Sequence, residues 1–449
     1  MAAEIPDEFI ELLEALSEER IDEAGRARLV SMVREDASLR AVLREHFAVS
    51  RALASLERDD PGFAERTAAH VMKTAEEGEF AFAGKVTRRI VRHRFAKGLA
   101  AAAVLTLAAL PLAWKMLHPA KDVATLVRMD EAGIVLSRTP VKAGEKLTET
   151  SGLIRLDFHN GAVVAVEAPA KLTTVSGMEI ALESGRLNAW CPESAHGFKV
   201  RTKSAELTDL GTSFGISASP DGRSEFVVLD GLVEVQKGSE KIRLEQGKAL
   251  TSNPQDTLQS VAFDPSGFKN TWPLASGILS TTGSVIPASP DVPEKVALSE
   301  DSEHVLVIPE RRGIPFKSPL EAEIIGPGSL PGTFDGSVKT VEPQAGRRLR
   351  SILLRYDPVG TSPEDYFIRL EGEVTFDRPV LAISCLRESL EKSDGVFSTA
   401  SWTATHRGIE LKQIDNDPDS VTLSEDRRTV KIIFYAGAST DEIRVFLED

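Results

Sequence analysis

Residues 198–236 read FKVRTKSAELTDLGTSFGISASPDGRSEFVVLDGLVEVQ. Within them Phe198–Thr202, Glu225–Leu229 and Leu232–Gln236 are strand-like runs. In the first and last of these, apolar and polar residues alternate with the period of two that sends every second side chain to one face of a strand. The breaks carry turn residues, among them Pro220-Asp221-Gly222 and Asp230-Gly231, so the stretch predicts short strands joined by tight turns.

Working outward, the same period begins near Val123. Val163, Ala165 and Glu167 alternate with Val164 and Val166 directly after His159-Asn160-Gly161, an Asn-Gly hairpin signal. Ile154–Phe158, Lys171–Val175 and Glu179–Leu182 are further strand-like runs. A partial echo links Leu182-Glu183-Ser184-Gly185-Arg186-Leu187 with Leu229-Asp230-Gly231-Leu232-Val233. Short strands with a weak repeat predict an elongated sheet or solenoid-like stack.

These residues carry a resemblance. Phe198–Thr202, Ala205-Glu206-Leu207, Asp209–Ile216, Val227–Val235 and Leu244-Glu245-Gln246-Gly247, in that order, resemble the core signature of the FecR family. Thr202, Leu210, Gly211, Thr212, Phe214, Gly231, Val233 and Gly247 are its motif positions in this chain. The resemblance covers roughly residues 123–262. It implies a cytoplasmic helical domain, one membrane span, an extracytoplasmic β domain, and a role in regulating a sigma factor. Siderophore-sensing members of that family carry tryptophans in their cytoplasmic helices, whereas the first tryptophan here is Trp114. An iron-siderophore role therefore does not carry over.

Beyond residue 262 the sequence turns proline-rich, with Pro265, Pro273, Pro287, Pro290 and Pro293, and 263–300 is expected to be an extended linker. Strands resume at Val305–Ile308 and recur through Ser351–Tyr356, Val380–Cys385 and Thr429–Phe434. Residues 301–449 are expected to form an antiparallel β-sandwich. Asp415, Asp417 and Asp419 have the alternating spacing of a calcium loop. Pro418, the absent loop glycine and the absent terminal Glu instead favour a solvated acidic loop, with Glu425 and Asp426 beside it.

Toward the N-terminus, Phe9, Leu12, Leu13 and Leu16 lie at helical spacing, followed by Leu29, Val30 and Val33 behind a capping Asp22. A third helix is expected behind Ser38, over Leu39, Val42, Leu43 and Phe47. Residues 1–56 are thus expected to be a small helical bundle and 57–97 a tether. Gly98–Trp114, GLAAAAVLTLAALPLAW, runs 17 residues without a charge. Extended to Leu117 it would cover about 30 Å, the thickness of a hydrocarbon core. Arg88, Arg89, Arg92, Arg94 and Lys97 precede it and, with Trp114, are expected to anchor it at a membrane. The fold class expected is therefore multi-domain: a helical bundle at 1–56, a transmembrane helix at 98–117 and all-β extracytoplasmic domains at 123–262 and 301–449. That topology puts the protein in a bacterial inner membrane, N-terminus inside.

The net charge of −15 excludes a general nucleic-acid binder, which needs a positive field. Cys191 and Cys385 are too few for a structural zinc site and are expected to be buried, unpaired thiols. Gly211-Thr212-Ser213-Phe214-Gly215 fits G-x-S-x-G, but that nucleophile motif needs a strand-to-helix turn, and a strand and then a turn follow here. There is no H-E-x-x-H, P-loop or dinucleotide fingerprint, so no catalytic residue, metal or cofactor is expected. The expected function is sigma-factor regulation, with a sigma factor as cytoplasmic partner and an unidentified external ligand. The rival is a cell-envelope protein whose β modules bind polysaccharide or protein above a mere anchor.

Overall fold

The computed structural model describes residues 6–17, 21–36, single positions or pairs between 39 and 47, 121–130, 133–333, 336–360, 367–400, 407–410 and 419–449. The chain divides into two compact units, Met1–Pro119 and Ala120–Asp449.

In the first unit, Asp7–Ser17 and Glu23–Glu35 are helices. Asp22 caps the second, its carboxylate accepting from the Gly25 N–H at 2.7 Å, which satisfies one of the orphan donors at a helix start. Phe9, Leu13, Leu29 and Leu39 meet in a small apolar core, and Arg28 pairs with Glu8 across the helices at 2.9 Å.

The expected fold class is corrected here. The described N-terminal residues give two complete helices, and of the third helix expected over 39–47 only Leu39, Arg40, Leu43, Arg44 and Phe47 are described, all of them helical. The 98–117 segment, with Arg88, Arg89, Arg92, Arg94, Lys97 and Trp114, also lies outside them. Among the described residues no helix is long and apolar enough to cross a membrane, and the described chain is mostly β. Alanine supplies much of the apolar character of 98–114, and alanine favours a helix in any surroundings. Flanking positive charge orients a span; it does not create one.

In the second unit a 14-stranded sheet begins at Asp122–Met129. Its main path runs Glu240–Glu245, Leu232–Lys237, Glu206–Asp209, Lys199–Arg201, Glu179–Trp190, Val163–Ser176, Leu153–Phe158, Asp122–Met129, Val135–Lys142. Two long strands, Val163–Ser176 and Glu179–Trp190, bend and change partners. Glu179–Trp190 pairs in parallel with Lys199–Arg201 at its start and antiparallel with Ser213–Ala218 after Gly185. The register between the long strands slips from Glu167 to Lys171, at Pro169, because proline cannot donate to the ladder. Gly185 crosses that point at φ +119, where a Cβ would stand 2.6 Å from Ala170 Cβ. Both branches thus enclose one core, which includes Phe158, Phe198, Phe214 and Phe226.

Two more sheets face each other, and both draw a strand from before residue 301. Ile278–Gly283, Ile368–Phe376, Thr429–Ala436, Ser420–Leu423 and Gly328–Leu330 form one. Val285–Pro287, Asp301–Pro309, Arg348–Asp357, Asp441–Glu448 and Val380–Ser384 form the other, with Ile314–Pro315 on the Arg348–Asp357 strand. Their inner faces share a core containing Ile352, Leu354, Val374 and Phe434. Thr429–Ala436 buries every second residue, as a one-sided strand should. Asp441–Glu448 is buried along nearly its whole length, because the second sheet is covered outside as well. Helix Arg387–Phe397 sits there, with Phe397 edge-on to Phe446 at 5.0 Å.

The stretch 263–300 is not an extended linker. Thr271–Ala275 is a buried helical turn, Ile278–Gly283 pairs with Ile368–Phe376, and Val285–Pro287 pairs in parallel with Asp301–Pro309. Phe268 and Trp272 join Val227 and Leu229 of the first sheet to Leu306, Ile308 and Leu353 of the sandwich. Proline content alone misleads here, since Pro273 sits inside a turn of helix and Pro287 ends a strand.

Candidate functional site

The motif positions fall into three groups. Thr202 makes a turn, its hydroxyl accepting from the Ser204 and Ala205 N–H groups at 3.3 and 3.2 Å. Phe214 and Val233 are fully buried core residues. The rest shape turns. Gly231, at φ +86, leaves only 2.5 Å between a would-be Cβ and the Gly211 carbonyl oxygen, so only glycine fits. Gly211 and Gly247 also take positive φ, +99 and +72.

Asp209 organises the Leu210–Ser213 turn. Its carboxylate accepts from the Gly211 N–H at 3.0 Å and from the Thr212 hydroxyl. Burial nevertheless raises the Asp209 carboxyl above its ordinary value, despite these bonds and nearby His196. Burial, with Asp209 close by, pushes the Cys191 thiol well above its ordinary value, so it is protonated and inert at neutral pH. Cys385 is likewise buried, and both cysteines are free thiols. Ser213 opens the strand Ser213–Ala218, which lacks the turn into a helix that a nucleophile elbow requires.

The turn forms part of one wall of a cleft of about 840 Å³ between the first sheet and the sandwich. Leu210, Gly211, Thr212 and Ser213 line it with Trp190 on one side; Arg312, Arg348 and Asp449 line it on the other. The Arg312 guanidinium stacks 3.4 Å from the Trp190 ring centroid and pairs with Asp449 at 2.9 Å. Burial, helped by Arg350, lowers Arg312 to about 10 even with Asp449 opposing. Across the cleft wall, Arg348 reaches Glu193 at 2.8 Å.

At the base of the cleft, Asp377 accepts from Arg155 of the first sheet and from Arg350 of the sandwich. Arg155 also pairs with Asp157 at 2.6 Å and donates to the Leu274 carbonyl at 3.2 Å. Burial alone would raise the Asp377 carboxyl, but Arg350, Arg155 and Arg312 together hold it well below the usual carboxylate range. A carboxylate shared by two buried guanidiniums from two sheets is a rigid strut, since removing either charge strands the others. Five arginines and seven carboxylates line the cleft. Its field therefore has no single sign, which suits a mixed polar ligand better than a polyanion.

Sequence reading finds the Leu210–Ser213 turn and misses its opposite wall. Arg155, Arg312, Arg350, Asp377 and Asp449 lie in five separate segments, and nothing in the pattern pairs Arg155 with a residue 222 positions away. Asp415 and Asp417 lie outside the described residues, while Asp419 is buried, 2% exposed, rather than part of a solvated loop.

The geometry defines a two-module β protein whose turn motif forms part of a shared cleft. Residues 146–234 match the family model described as FecR protein, and the chain carries a FecR domain there. The match takes in Thr202, Asp209–Phe214 and Gly231–Val233 but stops short of Gly247, and is narrower than the resemblance over 123–262. Two crystal structures of a candidate anti-sigma factor from Parabacteroides distasonis ATCC 8503 are similar at 18% identity and TM-score 0.26. The likeness covers 28% of this chain and 63% of theirs. No curated protein matches the chain.

Proposed function

We propose that this protein regulates a sigma factor, with the helical unit as the partner-binding element and the cleft as the place where a signal is read. The observation that carries the reading is the FecR domain at 146–234, whose motif turn lines a cleft shared with the sandwich. A ligand bridging Leu210–Ser213 and Arg312 would act on both modules at once, because they are braced through Asp377. The helix pair offers Val30, an apolar side chain on Glu23–Glu35 with 52% exposure, which suits an apolar partner face.

Co-expression of the full-length chain with each sigma factor of its own cell, followed by size exclusion, tests the proposal. One sigma factor should co-elute, and Val30→Asp should weaken that complex at least tenfold without unfolding the chain. Failure of every sigma factor to co-elute overturns the reading. If the β modules serve only as an envelope binder, deleting residues 1–84 leaves ligand capture intact and no sigma-dependent transcript changes.

A further inference from the structure

Asp441 opens the strand Asp441–Glu448 in one sheet of the sandwich, and Asp419 directly precedes the strand Ser420–Leu423 in the other. Glu410 follows the bridge that Gly408 makes with Leu386. Three separated segments therefore deliver three carboxylates to one end of the sandwich. Their nearest oxygens all lie within 4.8 Å of one another.

Asp419 is held in place from behind. Its two oxygens accept from the Tyr435 N–H at 2.8 Å and the Glu410 N–H at 2.9 Å. Asp441 differs. It is 3% exposed, yet its carboxylate makes no hydrogen bond or ion pair with any described residue. The charged groups acting on it are Asp419, Glu410 and Glu442, all acidic, and Glu442 is already paired with Arg407. Burial, then Asp419, Glu410 and Glu442, pushes the Asp441 carboxyl up to about 9. A buried carboxylate aimed at two others, with no donor and no cation, is costly unless a positive ion completes it.

We propose that Glu410, Asp419 and Asp441 bind a hard divalent cation, calcium fitting best, and that this ion clamps the two sheets of the sandwich together. The donor set is all carboxylate, with no His or Cys, which excludes a preference for softer metals. Oxygens sharing one calcium at about 2.3–2.6 Å stand at most about 5 Å apart, the spread seen here. Calcium accepts irregular geometry with water completing its shell, whereas magnesium demands a near-ideal octahedron. The site is independent of the cleft and of the sigma-factor reading.

The test is isothermal titration of chelator-stripped, full-length protein with calcium, magnesium and manganese chloride separately, paired with thermal unfolding. Asp441→Asn and Glu410→Gln are the variants; the first is nearly isosteric and the second lies at an exposed position. The expected result is one calcium site per chain, a higher Tm with calcium, and at least tenfold weaker binding in both variants. Asp441→Asn should also raise the Tm of the stripped protein, since it removes a buried carboxyl that must take up a proton to be accommodated without the ion. That opposite sign separates a metal ligand from a merely structural aspartate. Binding of magnesium or manganese in preference to calcium, lost in both variants, keeps the site and replaces the ion. No binding by the wild-type chain, or binding unchanged in both variants, overturns the proposal.

Discussion

The core of the first sheet and the joint beneath the cleft are built by opposite means. Around Phe198, Phe214 and Phe226 the first sheet packs a continuous cluster of apolar side chains, the larger of them worth about 1.5–3 kcal/mol each on leaving water. The joint instead buries charge: Arg155, Arg350 and Asp377 meet where the first sheet adjoins the sandwich. Apolar packing is tolerant, non-directional and indifferent to pH. A buried ion cluster is directional and fails when one member is lost. The first suits a scaffold; the second suits a joint that must keep one geometry.

Substitutions at four positions would break or sharpen that contrast. Asp377→Ala, which leaves guanidiniums buried without their counter-ion, should cost about 3–5 kcal/mol of unfolding free energy, read by denaturant titration of the full chain. The same residue sets a pH signature. Its carboxyl is depressed in the folded state, so its contribution is complete above the unfolded value of about 3.9. That contribution is lost as pH falls from there toward the native value. Asp377→Asn should therefore flatten the acid limb of the stability profile and leave its alkaline limb unchanged.

Next in size, Gly231→Ala should cost about 1–2 kcal/mol from the left-handed backbone alone, and more from its approach to the Gly211 carbonyl; thermal unfolding measures it. Within the apolar core, Ile216→Val should cost about 0.5–1.5 kcal/mol with no change in pH dependence, which chemical denaturation at two pH values would check. Smallest is Arg201→Ala. Arg201 is half-exposed where it pairs with Glu179, and surface pairs are worth about 0–1 kcal/mol. A core change that altered the acid limb, or an Asp377 change that did not, would dissolve the distinction.

The same contrast explains what the sequence makes legible. Ile154–Phe158 and Leu232–Gln236 alternate cleanly, Glu225–Leu229 is a short apolar run, and strands Leu153–Phe158, Ser224–Asp230 and Leu232–Lys237 follow within a residue or so. Lys171–Val175 reads as a separate strand because Pro169 looks like a stop, whereas one bent strand, Val163–Ser176, passes through it. Glu179–Leu182 likewise extends to Trp190 across Gly185. Periodicity reports which face is buried, not where a long strand changes partners. The glycine turn of the site is visible because glycine has a local conformational reason to be there. The charged wall is not, because Arg155 in Leu153–Phe158 looks like any outward-facing strand residue and only the tertiary fold brings Asp377 to it.

The segment from Ile278 to Pro287 supplies a strand to each sheet of the sandwich, Ile278–Gly283 to one and Val285–Pro287 to the other. A gene trimmed at residue 300 would therefore not release a transplantable module. It would leave two raw sheet margins inviting intermolecular pairing. Any shuffling of this C-terminal half between proteins would have to carry its apparent spacer along as a shared hem.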